Sequence, residues 1–160
     1  MEKEYQVNPF TRFHVDAALV TAGDKEKFNS MTIGWGTLGT LWSQDVMIVF
    51  VRDSRYTFQF MEREENFTVS FYQDKSIHAV MGSLSGRDVD KVAKCNLHPV
   101  FTDNGITYEE AQETFFCKKL YVSKMDIKDL PEEVQKRHYS NKDTAPHYMF
   151  IGKIIDHKVK

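Results

Sequence analysis

No apolar run in the 160 residues is long enough to span a bilayer, and the opening stretch MEKEYQVNPF alternates charges where a secretory signal would carry an apolar core. The expected location is therefore cytoplasmic, with no membrane involved. Cysteine is scarce: Cys95 and Cys117 stand apart without C-x-x-C spacing, which argues against a disulfide framework and for two reduced core thiols. Charge of one sign is also lacking, since 21 Lys and Arg face 23 Asp and Glu, so the electrostatic footprint of a nucleic-acid binder is missing. Six histidines show no H-x-x-x-H pair, and no metal site is indicated. Gly82-Ser83-Leu84-Ser85-Gly86 has the glycine spacing of a nucleophile elbow, but leucine stands where the serine nucleophile must be. Repeats, linkers and low-complexity tracts are missing, and 160 residues can bury a core unaided, so one domain over 1–160 is expected.

Aromatic residues are plentiful at 13%, with 12 Phe, 7 Tyr and 2 Trp, which favours sheets with large side chains. Ala17–Gly23 and Ser30–Gly36 read as a hairpin, and VMIVFVR as a buried strand. Ser54 can cap a short helix carrying Tyr56 and Phe60 on one face, after which NFTVSFY returns to period two. Ile77, Val80, Met81 and Leu84 fall on one helical face behind the possible cap Asp74, and Gly86 ends that helix or begins the next turn. A short helix can start at Asp88, a hairpin at Asn104-Gly105, a long strand in QETFFCKKLYVSKM and a peripheral helix at Asp129. HYMFIGKIIDHKV closes the chain as a strand in which Gly152 marks a bulge or a close backbone approach. Many hairpin-linked strands with short helical excursions predict a mainly β, antiparallel barrel.

Gly34 to Gly39, GWGTLG, match the G-x-G-x-x-G spacing of dinucleotide-binding folds. That fingerprint has a mechanism only where a helix follows the glycines, and here a strand-like run follows instead. A nicotinamide fold is thereby disfavoured. More informative are Asn29, Ser30 and Thr32 at one turn, and Arg52, Ser54, Arg55 and Thr57 around a helix start. Free N–H groups, hydroxyls and guanidinium groups in one place suit a phosphate. The residues alone also allow a plainer reading, Ser54 as a cap and the arginines as a solvated face.

Read in order, NSMTIGWG, VRDSRYTFQFMEREENFTVSF, SGRDVDK and HYMFIGKI resemble the flavin turn, the strand–helix–strand, the basic turn and the H-x-x-F-x-G-x-[IV] strand of the flavin reductase-like family of FMN-binding split barrels, including its flavoredoxin branch. The chain differs in having Ser43-Gln44-Asp45 where proline is frequent before the next strand, and Ser70 where asparagine is frequent. The resemblance implies an antiparallel split β-barrel with short peripheral α-helices, a homodimer, and noncovalent FMN, or FAD in some branches, at the dimer interface. It implies that Asn29, Ser30, Met31 and Thr32 line the isoalloxazine and ribityl region with Trp35 nearby. Arg52, Ser54, Arg55 and Thr57 would hold the phosphate, and the glycines of GWGTLG would let the backbone pass close to the flavin. Ser85, Gly86, Arg87 and Lys91 would lie near the cofactor, from the same subunit or its partner. His147 would touch substrate or flavin, or else make only a strand-end hydrogen bond. The implied activity is NAD(P)H-dependent oxidoreduction, with the flavin passing electrons to free flavin, a redox protein or a small acceptor. An electron carrier that never oxidises nicotinamide is the alternative.

Overall fold

Alternating small and apolar side chains make the first hairpin of the computed structural model, which describes residues 5–160; residues 1–4, the start of the charged N-terminal stretch, lie outside the described residues. Strand β1 (Ala18–Gly23) pairs antiparallel with β2 (Phe28–Ile33), Val20 opposite Met31. Gly23 closes the strand at φ 134°, where an added Cβ would sit 2.4 Å from the Phe28 Cα.

The chain then crosses Gly34-Trp35 directly into β3 (Gly36–Leu41), so no helix follows the glycines and the dinucleotide-fold reading falls. β3 turns back into β4 (Gln44–Arg52) through Trp42 and Ser43, both at positive φ (52° and 57°), the two-residue geometry that matches strand twist. Proline fits neither turn position, because its ring fixes φ near −65°.

After the short helix α1 (Pro9–Arg12) ahead of β1, the next helix, α2 (Tyr56–Arg63), follows β4 and buries Thr57, Phe58, Phe60 and Met61. Beyond β5 (Asn66–Tyr72) come α3 (Ile77–Ser83) and α4 (Lys91–Lys94), the latter capped by Asp90 rather than begun at Asp88. α3 stops at Ser83, short of Leu84 and Gly86, and Asp74 serves it indirectly by accepting from the Ser76 N–H and hydroxyl. The hairpin β6 (Pro99–Thr102) and β7 (Gly105–Tyr108) turns at Asp103-Asn104, with Gly105 as the first paired residue after the turn. The long strands β8 (Ala111–Lys124) and β9 (His147–Val159) enclose α5 (Glu132–His138), whose N-cap is Pro131. Asp129, expected as its cap, lies in a preceding 3-10 turn.

Seven strands form one antiparallel sheet in the order β2-β1-β5-β8-β9-β4-β3, left open at the β2 and β3 edges. It still wraps a large core: Val20, Met31, Val49, Phe67, Phe115 and Phe150, from six strands, pack in one cluster with Phe58, Phe60 and Met61 of α2, while Leu19, Tyr72, Ile77, Met81, Leu97 and Tyr108 form a second, smaller one. Gly152 is a close approach, since a Cβ there would meet the Phe67 ring at 2.6 Å and the Cys117 Cβ at 2.8 Å, and β8 is irregular opposite it between Lys119 and Tyr121. Cys117 is buried and Cys95 half-buried, both as free thiols. No described helix is long and apolar enough to cross a membrane.

Candidate functional site: two adjoining cavities

The turn after β4 aims a set of donors at one place. Arg55 donates its backbone N–H to the Arg52 carbonyl (3.1 Å) and stays extended at the N-cap of α2, so the first N–H groups of that helix have no intrahelical partner. Opposite lies the segment after α3, Ser83 to Arg87, with Lys91 at the start of α4 and Asn29 from β2. These residues, with Ser54, Tyr56, Thr57, Lys142 and Asp143, line a cavity of about 360 Å³.

Its interior is ordered by few contacts. Asn29 Nδ2 donates to Thr57 Oγ1 (2.8 Å), and a Cβ on Gly86 would lie 2.2 Å from Asn29 Oδ1, so only glycine leaves that amide in place. Arg55 donates to the Gly82 carbonyl (2.8 Å), and the Arg87 guanidinium lies 5.0 Å from the Tyr56 ring centroid. Lys91 is only 3% exposed and donates to the Met81 carbonyl (3.0 Å). Burial, assisted by the charge of Arg55, pulls its amine down to about 8. Arg55 is likewise lowered, mainly by burial. The buried Lys91 and half-buried Arg55 meet neutral carbonyl oxygens, which suits the site to an anion with several oxygens.

A second cavity, about 160 Å³, shares Arg55 with the first and is lined by Met31, Thr32, Ile33, Gly34, Trp35, Phe50, Arg52 and His147. Thr32 Oγ1 is held by His78 Nδ1 (2.9 Å). The Trp35 indole, 44% exposed, lies between His138 and His147, with centroids 5.1 and 5.2 Å away. His147 is buried, its Nδ1 2.6 Å from the Tyr139 hydroxyl. Burial, and then the Arg52 cation, pull its pKa down to about 4, so the imidazole is neutral at neutral pH.

The fold thus gathers Asn29, Ser54, Arg55, Thr57, Ser85, Gly86, Arg87 and Lys91 around one cavity, and Met31, Thr32, Trp35, Arg52 and His147 around its neighbour. Several sequence expectations change. Ser30, expected against the ring system, points the other way: its hydroxyl is fully buried 2.6 Å from both Thr21 Oγ1 and Tyr108 OH. Arg52, expected on the phosphate, donates to the carbonyls of Asp143 (3.0 Å), Ala145 (2.7 Å) and His138 (2.5 Å), and so holds the loop after α5. Ser54 makes no cap; its hydroxyl donates to Asp143 Oδ2 (2.6 Å). Of the GWGTLG glycines Gly34 borders this second cavity, whereas Gly36 gives room to the Phe13 ring and Gly39 has open space.

Sequence reasoning missed Lys142, Asp143, Tyr139 and His78. No local signal marks them, because Asp143 and Tyr139 come from a loop about ninety residues beyond β4 (Asp143 is 89 residues from Ser54) and His78 reads as an ordinary helix position. His98, Glu109 and Glu110 also bring ligand-type atoms within 4.8 Å of one another, but they are on the surface and Glu110 already accepts from His98.

The result is an antiparallel β protein in which a cavity lined by cationic and hydroxyl side chains lies beside an aromatic-walled one. The chain belongs to the flavin reductase like domain family, whose model matches residues 10–160. It is similar in structure to a flavoredoxin from Methanosarcina acetivorans (TM-score 0.69, 19% identity, 99% of this chain and 76% of that one). A flavoredoxin of Desulfovibrio vulgaris (Miyazaki F) gives TM-score 0.69 at 20% identity, over 100% of this chain and 77% of that one. An FMN-binding protein from Thermus thermophilus gives 0.68 at 20% identity, over 100% and 82%. At these identities the likeness is one of fold. No curated protein sequence matches the chain.

Proposed function

We propose that the chain binds FMN noncovalently and is a flavin-dependent oxidoreductase that takes electrons from NAD(P)H and passes them to a free flavin, a redox protein or a small acceptor. The observation that carries this reading is the pairing of cavities through Arg55: an anion subsite built from Arg55, Thr57, Ser85, Arg87 and Lys91 beside a wall made of Thr32, Gly34 and Trp35. The residues present fit the group. Partly dehydrated cations and the open N–H groups of α2 would receive the phosphate, and Gly86 leaves Asn29 free to point inward. The flat Trp35 face and the β2 backbone would take the ring system. Bound FMN supplies the redox chemistry.

Around it the protein binds, orients and tunes. Arg55 sits where both cavities meet, so its charge would favour negative charge gained on reduction. His147 stays neutral above its lowered pKa and, locked to Tyr139, offers a fixed polar edge rather than a cation. We further propose that the protein works as a cytoplasmic homodimer; the exposed Trp42 (58%) and Tyr121 (48%) are side chains that a second copy would cover.

The test is to purify the protein, record its visible spectrum, release and identify any bound flavin, and add NADH or NADPH without oxygen. Flavin absorbance that bleaches supports the reductase. Bound FMN that dithionite reduces but neither nucleotide does leaves an electron carrier, and protein unable to take up FMN removes the proposal.

A further inference from the structure

The wall of the anion cavity carries an anion of its own. Asp143, in the loop after α5, lines the cavity beside Ser54 and Arg55. Its Oδ2 accepts from the Ser54 hydroxyl (2.6 Å) and its Oδ1 from the Ala145 N–H (3.0 Å), with Oδ1 also 4.0 Å from Arg52. Burial works against the charged form, but these two donors and the charges of Arg52 and Arg55 outweigh it and hold the carboxyl below its ordinary value. Asp143 is therefore ionised at neutral pH, and Ser54 gives its one hydroxyl proton to a carboxylate of the same chain.

Backbone and side chain of this loop are held separately. Arg52 pins the backbone by donating to the carbonyls of His138, Asp143 and Ala145. The Asp143 side chain is 39% exposed, and Ser54 is the side chain that holds it toward the cavity by a hydrogen bond. Rotation about the Asp143 side-chain bonds alone would free Ser54 and leave the loop in place. Ser54 directly precedes the Arg55 cap of α2, so its freed hydroxyl would join the donors already turned to the cavity.

We propose that Asp143 is a built-in competitor for the anion that this cavity binds: its carboxylate holds Ser54 until a phosphate group takes that hydroxyl over and the Asp143 side chain turns out to water. A phosphate group prevails because it meets Arg55, Thr57, Arg87 and Lys91 at once, whereas Asp143 offers one carboxylate. Asp143 thereby sets how strongly an anion must bind to enter. The competition applies to any phosphate group; that the phosphate is the one on FMN rests on the reading above.

The test is a double-mutant cycle on flavin-free protein, with inorganic phosphate titrated and followed by phosphorus NMR. Asp143→Ala should tighten phosphate binding by about tenfold, the worth of a hydroxyl regained by a charged acceptor. Ser54→Ala should change the affinity of the otherwise native protein less than about twofold, yet in the D143A background it should cancel the gain. Asp143→Asn, which can keep the Ala145 bond, repeats the cycle should the alanine disturb the loop. Additive effects would make Asp143 a distant charge and overturn the proposal, as would unchanged affinity in D143A or a D143A protein with no saturable phosphate binding. The same four proteins are then titrated with FMN. The expected cycle with phosphate but no binding of FMN removes the FMN reading and leaves the competition standing; FMN binding with additive effects does the reverse.

Discussion

The two ends of β9 carry buried charge in opposite ways. At the C-terminal end, His157 Nε2 lies 2.7 Å from Glu113 Oε1, Arg12 pairs with the same carboxylate, and the Tyr5 hydroxyl donates to it at 3.2 Å. Arg12 also meets Asp16 (3.1 Å), which in turn meets Lys75 (2.8 Å), and the Phe115 ring stacks on His157 at 4.2 Å. Within this network Arg12, Glu113, Asp16 and Lys75 each have a partner of opposite charge. At the N-terminal end, near His147, Arg55, Lys91 and Arg52 donate chiefly to backbone carbonyls, and the nearest carboxylate, Asp143, lies 4.0 Å from Arg52. Carbonyl dipoles satisfy donors without cancelling charge, so this end keeps a positive potential that a bound anion can use. One end is stabilised by its charges and the other is poised for a ligand.

The largest expected effect comes from breaking the paired end. Glu113→Ala strands Arg12 and His157 and should lower unfolding free energy by about 3–5 kcal/mol in urea titrations, while FMN affinity of the folded protein holds. A loss below about 1 kcal/mol would mean the pairing is ornamental and the contrast wrong. Arg55→Ala should do the reverse, leaving stability unchanged or raised while FMN binding weakens by about 10- to 100-fold, as expected for losing a charged donor worth about 1.5–3 kcal/mol. Equal FMN affinity by calorimetry would remove Arg55 from the anion subsite.

Gly86→Ala sharpens the comparison within the cavity, since its methyl group must displace Asn29 from Thr57. Overpacking of that kind costs about 1–3 kcal/mol, so FMN affinity should drop and the melting temperature should fall by about 2–12 °C. The smallest effect is the titration of Lys91. Its folded pKa is depressed to about 8 from 10.5, so between those values the unfolded chain binds more protons and stability rises with pH. FMN affinity should fall through the same window, because the amine that meets phosphate is the protonated one. Lys91→Met should flatten both trends; slopes that persist in this variant would assign them to another group.

Much of the local structure was legible because it depends on neighbours in sequence. Period two in Asn66–Tyr72 and the i, i+3, i+4 spacing from Ile77 are consequences of side-chain direction along a strand or helix. The β3–β4 turn was harder, since Trp42 and Ser43 take positive φ without the Asn-Gly or Asp-Gly signal that usually announces it. Ser54 looked like a cap by type, yet its hydroxyl found Asp143 instead, a partner no helix pattern can supply.

Sequence by itself determined that this is a strand-rich chain with a donor-laden turn at Arg52–Thr57 and a basic turn at Ser85–Lys91, because residue type and period fix local conformation. Tertiary structure alone decided that these turns face one another, that Ser30 belongs to a buried hydroxyl network while Asn29 reaches the cavity, and that Arg52 donates to the loop after α5. Alternation says that Asn29 and Ser30 lie on opposite faces. Which face meets α2 and which meets β7 is set by pairing between residues far apart in the chain, a long-range choice that no local period encodes.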